Sequence, residues 1–321
     1  MAGPRLAVLT SGGDAPGMNA AVRAVVRNSH YHGWEPIGVY NGFHGLITGN
    51  LAVMDAGSVG DIIHRGGTVL RSGRSDAFTT EEGFRQALQT LSEQQIQAVV
   101  VIGGNGSLRG ALRLAQAGVS VIGVPATIDN DIGGTETTIG FDTAVNTAVE
   151  AINRIRDTAS AHDRTFIVEV MGRHSGFIAL AAALAGGAES VLIPEEEPDY
   201  DEICRRIQRG YQRGKAHSII VVAEGAADGF QAAREIERRT GLETRVTVLG
   251  HVQRGGTPTA SDRILASRLG AAAVDLLVEG RHGLMVGIAA GEVRPVPLAT
   301  ALAETPRPDP ALIRLASILG S

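Results

Sequence analysis

The chain has 321 residues, 44% hydrophobic and 20% charged, a composition ordinary for a globular protein and a length beyond what one hydrophobic core usually supports. Its formal net charge of −5 leaves no basic footprint for nucleic acid, and its single cysteine, Cys204, allows no internal disulfide and suits a reducing cytoplasm. No apolar run reaches the ~18 residues that cross a membrane, and Met1–Arg5 leads into a strand without a signal-peptide pattern.

Taken in chain order, the first predicted strand is Leu6–Leu9, followed by Thr10-Ser11-Gly12-Gly13-Asp14-Ala15-Pro16-Gly17 and a helix over Met18–His30. Gly12 and Gly13 lack a Cβ, so their N–H groups are expected to face an anion at the start of that helix. The spacing matches neither the dinucleotide fingerprint nor the Walker pattern, so a tight turn without a ligand is the competing reading. A second strand covers Pro36–Tyr40. Trp34 reads as packing, and His30 and His32 lack the paired Cys or acidic ligands of a metal site.

The strand Ala98–Ile102 opens into Gly103-Gly104-Asn105-Gly106-Ser107 and a helix over Ser107–Ala117. The strand Val119–Val124 opens into Pro125-Ala126-Thr127-Ile128-Asp129-Asn130-Asp131. The first loop is built to let backbone amides approach phosphate oxygens, and the second offers two carboxylates on alternate residues for proton acceptance and a divalent cation. Together they read as a phosphoryl-transfer site.

Helices are predicted over Thr143–Thr158, Phe177–Leu184, Tyr200–Arg213, Arg263–Glu279 and Ala311–Leu319, and strands over Thr165–Met171, Ser190–Ile193, Ser218–Ala223, Thr244–Leu249 and Met285–Ile288. Continuous apolar strands alternating with helices give an α/β class: parallel sheets covered on both faces, with ligands at the carboxyl ends of the strands. No linker rich in Ser or Pro divides the chain, which favours two interwoven lobes, and no fixed-period repeat is present. Arg74, Arg164, Arg173, Arg245 and Arg254 fall in or near strand-end loops, where guanidinium groups grip phosphate bidentately. Glu224 and His251 suit hydroxyl recognition on a sugar or, equally, a satisfied buried polar role. Glu195-Glu196-Glu197 reads as a solvated loop.

Thr10–Asn19, Gly103–Ser107, Pro125–Asp131, Met171-Gly172-Arg173 and Gly250–Gly256 together resemble 6-phosphofructokinase of the bacterial ATP-dependent type, in order and over essentially the whole chain. The resemblance implies two interlocked lobes, each a largely parallel sheet flanked by helices: residues 1–140 with 253–305 for ATP, and 141–252 with 306–321 for the sugar phosphate. It implies a cytoplasmic homotetramer that moves the γ-phosphoryl of ATP to the 1-hydroxyl of fructose 6-phosphate with Mg²⁺, the committed step of glycolysis. Carried over residue by residue, Asp129 resembles the base, Thr127 a transition-state or substrate contact, and Arg173 the stabiliser of the moving phosphoryl group. Gly13, Arg74, Ser75, Gly104, Asn105, Gly106 and Ser107 resemble the ATP site, and Asn105 and Asp131 the Mg²⁺ ligands. Met171, Gly172, Glu224, His251 and Arg254 resemble sugar-phosphate contacts, whereas Arg164 and Arg245 resemble the pair lent to a neighbouring subunit's 6-phosphate. Arg23, Arg27, Arg156, Glu189, Arg213 and Lys215 match effector positions for ADP or phosphoenolpyruvate, although Ala56-Gly57 lacks the basic and aromatic pair often found there.

Two departures bear on the chemistry. Asn105 stands where the family normally has Asp, which predicts weakened or Mg²⁺-demanding activity or, alternatively, a nucleotide-sensing subunit that barely turns over. Ala126 replaces the usual Gly and is expected to add a methyl near the phosphates. Pyrophosphate-using relatives carry Asp at the position of Gly106 and Lys at that of Ala126, so ATP is the expected donor. A nucleotide-cofactor or lipid kinase, which shares a related glycine loop, is disfavoured by Thr127–Asp131 and the arginines.

Overall fold

The computed structural model describes residues 3–160, 164–215 and 217–320. The chain forms two compact units and passes between them three times: Met1–Asp142 with Arg254–Thr305, and Thr143–Gln253 with Pro306–Ser321.

The first unit runs β1 (Arg5–Ser11), α1 (Met18–Tyr31), β2 (Glu35–Val39), α2 (Gly42–Thr48), β3 (Leu51–Val53), α3 (Glu81–Glu93), β4 (Ile96–Gly103), α4 (Asn105–Gln116) and β5 (Ser120–Pro125), and resumes later with α9 (Ala260–Val278), β10 (Leu284–Ala289), β11 (Glu292–Pro297) and α10 (Leu298–Ala303). Its seven strands lie in the order β11-β10-β5-β4-β1-β2-β3. The five central strands are parallel, and only the edge strands β3 and β11 run antiparallel to their neighbours. Val99, Val100, Val101 and Ile102 are wholly buried, as a sheet covered on both faces requires. One face packs on α2, α3, α4 and α10 through Phe43, Leu91, Leu108 and Leu298. Helices α1 and α9 pack closely together: a Cβ at Gly270 would lie 2.7 Å from the Ala21 carbonyl.

The sheet is thus largely parallel, as expected, with the two antiparallel pairings confined to its edges. Both edge strands are short or exposed, and β11 reads Glu-Val-Arg-Pro-Val-Pro, whose prolines cannot serve a central ladder.

The second unit contains α5 (Phe141–Ala159, begun in the first unit), β6 (Thr165–Val170), α6 (Phe177–Gly186), β7 (Ser190–Leu192), α7 (Tyr200–Gln212), β8 (Ser218–Ala223), α8 (Gly229–Thr240), β9 (Thr244–Val248) and α11 (Pro310–Leu319). Its sheet is entirely parallel, in the order β7-β8-β6-β9. Ile167, Ile220 and Val222 pack there against Ile203, Cys204 and Ile207 of α7 and Ile236 of α8. Burial pushes the Cys204 thiol up, which keeps it protonated and unreactive. Among the described residues no helix is long and apolar enough to cross a membrane.

One staple of the first unit is a buried carboxylate. Asp262, 1% exposed, accepts the Gly140 N–H at 2.8 Å, while its own N–H donates to the N-cap Thr259 Oγ1 at 3.2 Å. Asp262→Ala leaves the Gly140 N–H buried without that acceptor, a cost of about 1–3 kcal/mol. A lower urea midpoint for this variant is expected; an unchanged midpoint rules out the staple.

Candidate active site

In the first unit, three strand-to-helix loops lie at the carboxyl ends of adjacent parallel strands. After β1, Gly12 adopts φ 83°, a left-handed conformation suited to glycine, and its N–H donates to the Gly73 carbonyl at 3.2 Å. Gly12 is therefore committed to the chain, contrary to the expectation that its N–H faces an anion, because the turn brings it against the 73–75 segment. That segment carries exposed Arg74 and half-buried Ser75. A Cβ at Gly13 would strike the Arg254 guanidinium, so glycine there admits Arg254 alongside the loop.

After β4, Gly104 begins α4 with no side-chain cap, which leaves the first-turn amides and the positive end of the helix for an anion. A Cβ at Gly106 would meet nothing within 4 Å, so packing does not account for this glycine. Ser107 is 3% exposed, and its Oγ has no hydrogen-bond partner.

The loop after β5 is laced to the one after β4. The Ala126 N–H donates to the Gly103 carbonyl at 3.0 Å, and Asn105 Nδ2 donates to Asp131 Oδ2 at 3.0 Å and to the Asp131 carbonyl at 3.1 Å. Burial alternates along the loop: Ile128, Asn130 and Ile132 are buried, whereas Thr127, Asp129 and Asp131 are partly exposed. Thr127 Oγ1 accepts the Asp129 N–H at 3.2 Å.

Asn130 makes this possible. It sits at φ 51°, a region Asn tolerates better than most side chains. Its Oδ1 accepts the Thr138 N–H at 2.9 Å, and its Nδ2 donates to the Glu136 carbonyl at 3.3 Å. Asn130 was overlooked in the sequence, although an Asn between two aspartates is a signal for a left-handed position. Ala126, expected to bring its methyl near the phosphates, is 0% exposed: its backbone is bridged on both sides, to Gly103 and Ile139, and the side chain is enclosed.

Asn105 and Asp131 offer a carboxylate, an amide and a backbone carbonyl at one place, and among the described residues no group of three His, Cys, Asp or Glu is placed to hold a metal. Such a set suits Mg²⁺, which binds through one or two protein carboxylates and takes the rest of its shell from substrate phosphates and water.

In the second unit, Met171-Gly172-Arg173, Glu224 and Leu249–His251 follow β6, β8 and β9, all at the carboxyl ends of neighbouring strands. The Glu224 N–H donates to the Val170 carbonyl at 2.9 Å, and the Leu249 N–H to the Glu169 carbonyl at 3.0 Å. Arg173, Glu224 and His251 are exposed and Met171 and Gly172 buried. Arg164 and Arg245 are not with them. They lie at the opposite, amino-terminal edge, where Arg164 Nε pairs with Glu243 Oε2 at 2.9 Å and Arg245 pairs with the same carboxylate. The length of β6, roughly 20 Å, separates that edge from Met171. Glu243 was a second residue the sequence reading missed.

The effector candidates divide between the units. Arg23 and Arg27 lie one turn apart on α1, and Arg213 caps the end of α7. Glu189, 6% exposed, pairs with Lys215 and accepts the Ile219 N–H, while Arg156 donates to the Gly187 carbonyl at 3.1 Å. Burial holds the neighbouring His217 below its ordinary pKa, reinforced by the charges of Arg156 and Lys215 and opposed by Glu189. Two further expectations need correction. Glu195 is not merely solvated, because its Oε1 accepts the Gly176 N–H at the start of α6 at 2.9 Å. His32 does have an acidic neighbour, Asp275 at 3.1 Å, brought to it by the packing of α1 on α9.

Comparison with known proteins accounts for this set of loops. The phosphofructokinase family model matches residues 5–277. The chain is 60% identical over 284 residues to an ATP-dependent 6-phosphofructokinase of Halalkalibacterium halodurans, covering 88% of this chain and 89% of that one. It is 56% identical over 315 residues to the Brevibacillus brevis protein of the same name, covering 98% and 99%. Phosphofructokinase from Saccharomyces cerevisiae superposes with a TM-score of 0.87 at 37% identity, covering 94% of this chain, which spans 45% of the yeast chain. A pyrophosphate-dependent phosphofructokinase from Nitrosospira multiformis shares the fold, with a TM-score of 0.85 at 21% identity over 96% of this chain and 86% of that one. With a family match spanning both units and relatives identical at more than half their positions, the chain belongs to the phosphofructokinase family.

Proposed function

We propose that this protein is an ATP-dependent 6-phosphofructokinase, transferring the γ-phosphoryl of ATP to the 1-hydroxyl of fructose 6-phosphate in the cytoplasm. The observation that carries the reading is the lacing of the loop after β4 to the loop after β5, which sets uncapped helix amides beside the face bearing Thr127, Asp129 and Asp131. The naming of relatives at 56–60% identity supports the same donor and acceptor. The open space at Gly106 favours a nucleotide over pyrophosphate, since a larger residue there would take the room of the α-phosphate.

In this reading, residues 1–140 with 253–305 bind ATP and residues 141–252 with 306–321 bind the sugar phosphate. The amides of Gly104 to Ser107, with Gly13, Arg74 and Ser75, hold the triphosphate. Asp129 accepts the proton of the 1-hydroxyl, Thr127 fixes the approach, and Arg173 steadies the charge of the group in transit. Met171, Gly172, Glu224, His251 and Arg254 hold the sugar phosphate. Asp131 and Asn105 hold Mg²⁺, which when bound neutralises phosphate charge. Arg23, Arg27, Arg156, Glu189, Arg213 and Lys215 form the effector sites for ADP or phosphoenolpyruvate.

The position of Arg164 and Arg245 supports a homotetramer. They stand at the amino-terminal edge of the sheet whose carboxyl edge carries Arg173, so their guanidinium groups serve the 6-phosphate in a neighbouring subunit.

Two experiments test these roles. Asp129→Asn is expected to lower kcat by about 10²–10⁴, the range for a positioned base, with fructose 6-phosphate binding retained. Arg245→Ser is expected to raise the sugar-phosphate KM, and at fructose 6-phosphate concentrations well below that raised KM hybrids co-expressed with Asp129→Asn subunits are expected to show activity that neither parent shows. Near-normal turnover by Asp129→Asn removes it as the base, and hybrids without recovery remove the shared site. The second concerns Asn105, whose amide already faces a carboxylate. Asn105→Asp is expected to raise kcat tenfold or more in a Mg²⁺ titration, up to the ~10²–10³ typical of one electrostatic stabiliser, at similar ATP affinity. Ligand binding without turnover in both forms would instead favour a nucleotide sensor.

A further inference from the structure

Among the described residues, three buried side-chain polar atoms have no hydrogen-bond partner: Ser107 Oγ, Glu195 Oε2 and Gln253 Nε2. Such atoms are rare because each forfeits its hydration, so each calls for a reason. Ser107 belongs to the first turn of α4, at the proposed phosphate cradle. The other two sit on side chains that grip opposite ends of one six-residue loop, Met171–Gly176, which joins β6 to α6 and carries Arg173 near its middle. At its front, Gln253 Oε1 accepts the Met171 N–H at 2.8 Å. At its back, Glu195 Oε1 accepts the Gly176 N–H at 2.9 Å.

We propose that Gln253 is a positioning residue, with Glu195 as its companion, that sets where Arg173 points by clamping the backbone on either side of it. This inference rests on the reading of Arg173 given above. Gln253 is 0% exposed, yet neither an apolar side chain nor a shorter amide could do its work: the Met171 amide is backbone, cannot be deleted, and needs an acceptor at that reach. One oxygen meets this need, while the attached NH₂ is left unpaired.

The rest of the loop is equally constrained. Gly172 takes φ 136°, and a Cβ there would meet the Ser175 carbonyl. A Cβ at Gly225, which follows Glu224, would meet the Arg173 carbonyl, so the backbone of Arg173 rests directly on that glycine. Arg173 itself is exposed, so its side chain gains little orientation from packing and depends on the backbone beneath it. Gln253 also lies between His251 and Arg254 in sequence, and thereby ties the segment carrying sugar-phosphate residues to the one carrying Arg173.

The test compares Gln253→Asn, which draws the oxygen back by one methylene, with Gln253→Glu, which restores an acceptor at the original reach, each alone and combined with Arg173→Ala. Gln253→Asn is expected to lower kcat tenfold or more while the KM for ATP stays within threefold, and Gln253→Glu to recover most of the loss. In the Arg173→Ala background, Gln253→Asn is expected to change kcat by less than threefold, since positioning an absent guanidinium has no effect. Hydrogen exchange at the Met171 amide, fast in Gln253→Asn and slow in Gln253→Glu, reports the clamp independently of turnover. The same kcat loss in both backgrounds, or an unchanged Met171 exchange rate, overturns the proposal. A parent enzyme that does not phosphorylate fructose 6-phosphate from ATP overturns the functional reading instead, and the exchange measurement separates the two failures.

Discussion

The chemistry assigned to the first unit depends on Asn130 holding a left-handed turn. Its side chain bonds to the backbone of Glu136 and Thr138, on the far side of the same loop, so the chain cannot relax toward a regular strand. With Ile128 and Ile132 buried on either side, Thr127, Asp129 and Asp131 are left on the open face. The Asn105–Asp131 contact then ties that face to the first turn of α4. The proposed proton acceptor, Asp129, and the proposed phosphate cradle, the first turn of α4, are thus positioned by hydrogen bonds between two loops that both end parallel strands, the place where helix amino termini already converge.

The second unit follows the same design with different residues. There, too, the loops follow parallel strands, and their backbones interlock through β6: Glu224 and Leu249 both donate to it, and Met171 is fixed by Gln253. Rigid backbone beneath exposed polar side chains is what catalysis by positioning requires, because orientation that must be found during the reaction raises the barrier. The amino-terminal edge of that sheet is organised by charge instead, with Glu243 holding two guanidinium groups side by side. In the proposed reading Glu243 stands, between the two arginines, where the 6-phosphate would bind, and it keeps both cations ordered.

Much of this was legible in the chain because burial writes itself into strands. Val99 to Ile102 and Val121 to Val124 read as central parallel strands, and the residues after them as turns at the strand ends. Harder to read were features set by the partners that folding supplies. Asn130, between two aspartates, signals a left-handed turn but not its bonds to Glu136 and Thr138, and Glu243 is a surface acid until the parallel register of β6 and β9 brings Arg164 beside it. Gln253 lies within a recognised motif, yet its bond to Met171 spans most of the second unit's sequence. Ala126 lies among proposed site residues in sequence, while pleating and a β-bridge enclose its own side chain. The edge strands β3 and β11 escaped notice because exposed strands lack the apolar run that marks a buried one.

The most direct measurement is the turnover of Asn130→Gly. Glycine accepts the left-handed backbone without strain but removes the side-chain bonds to Glu136 and Thr138, so only the clamp is lost. The account predicts a kcat reduced tenfold or more with ATP binding preserved, because the first turn of α4 is untouched. An Asn130→Gly enzyme that turns over at the parent rate would contradict it.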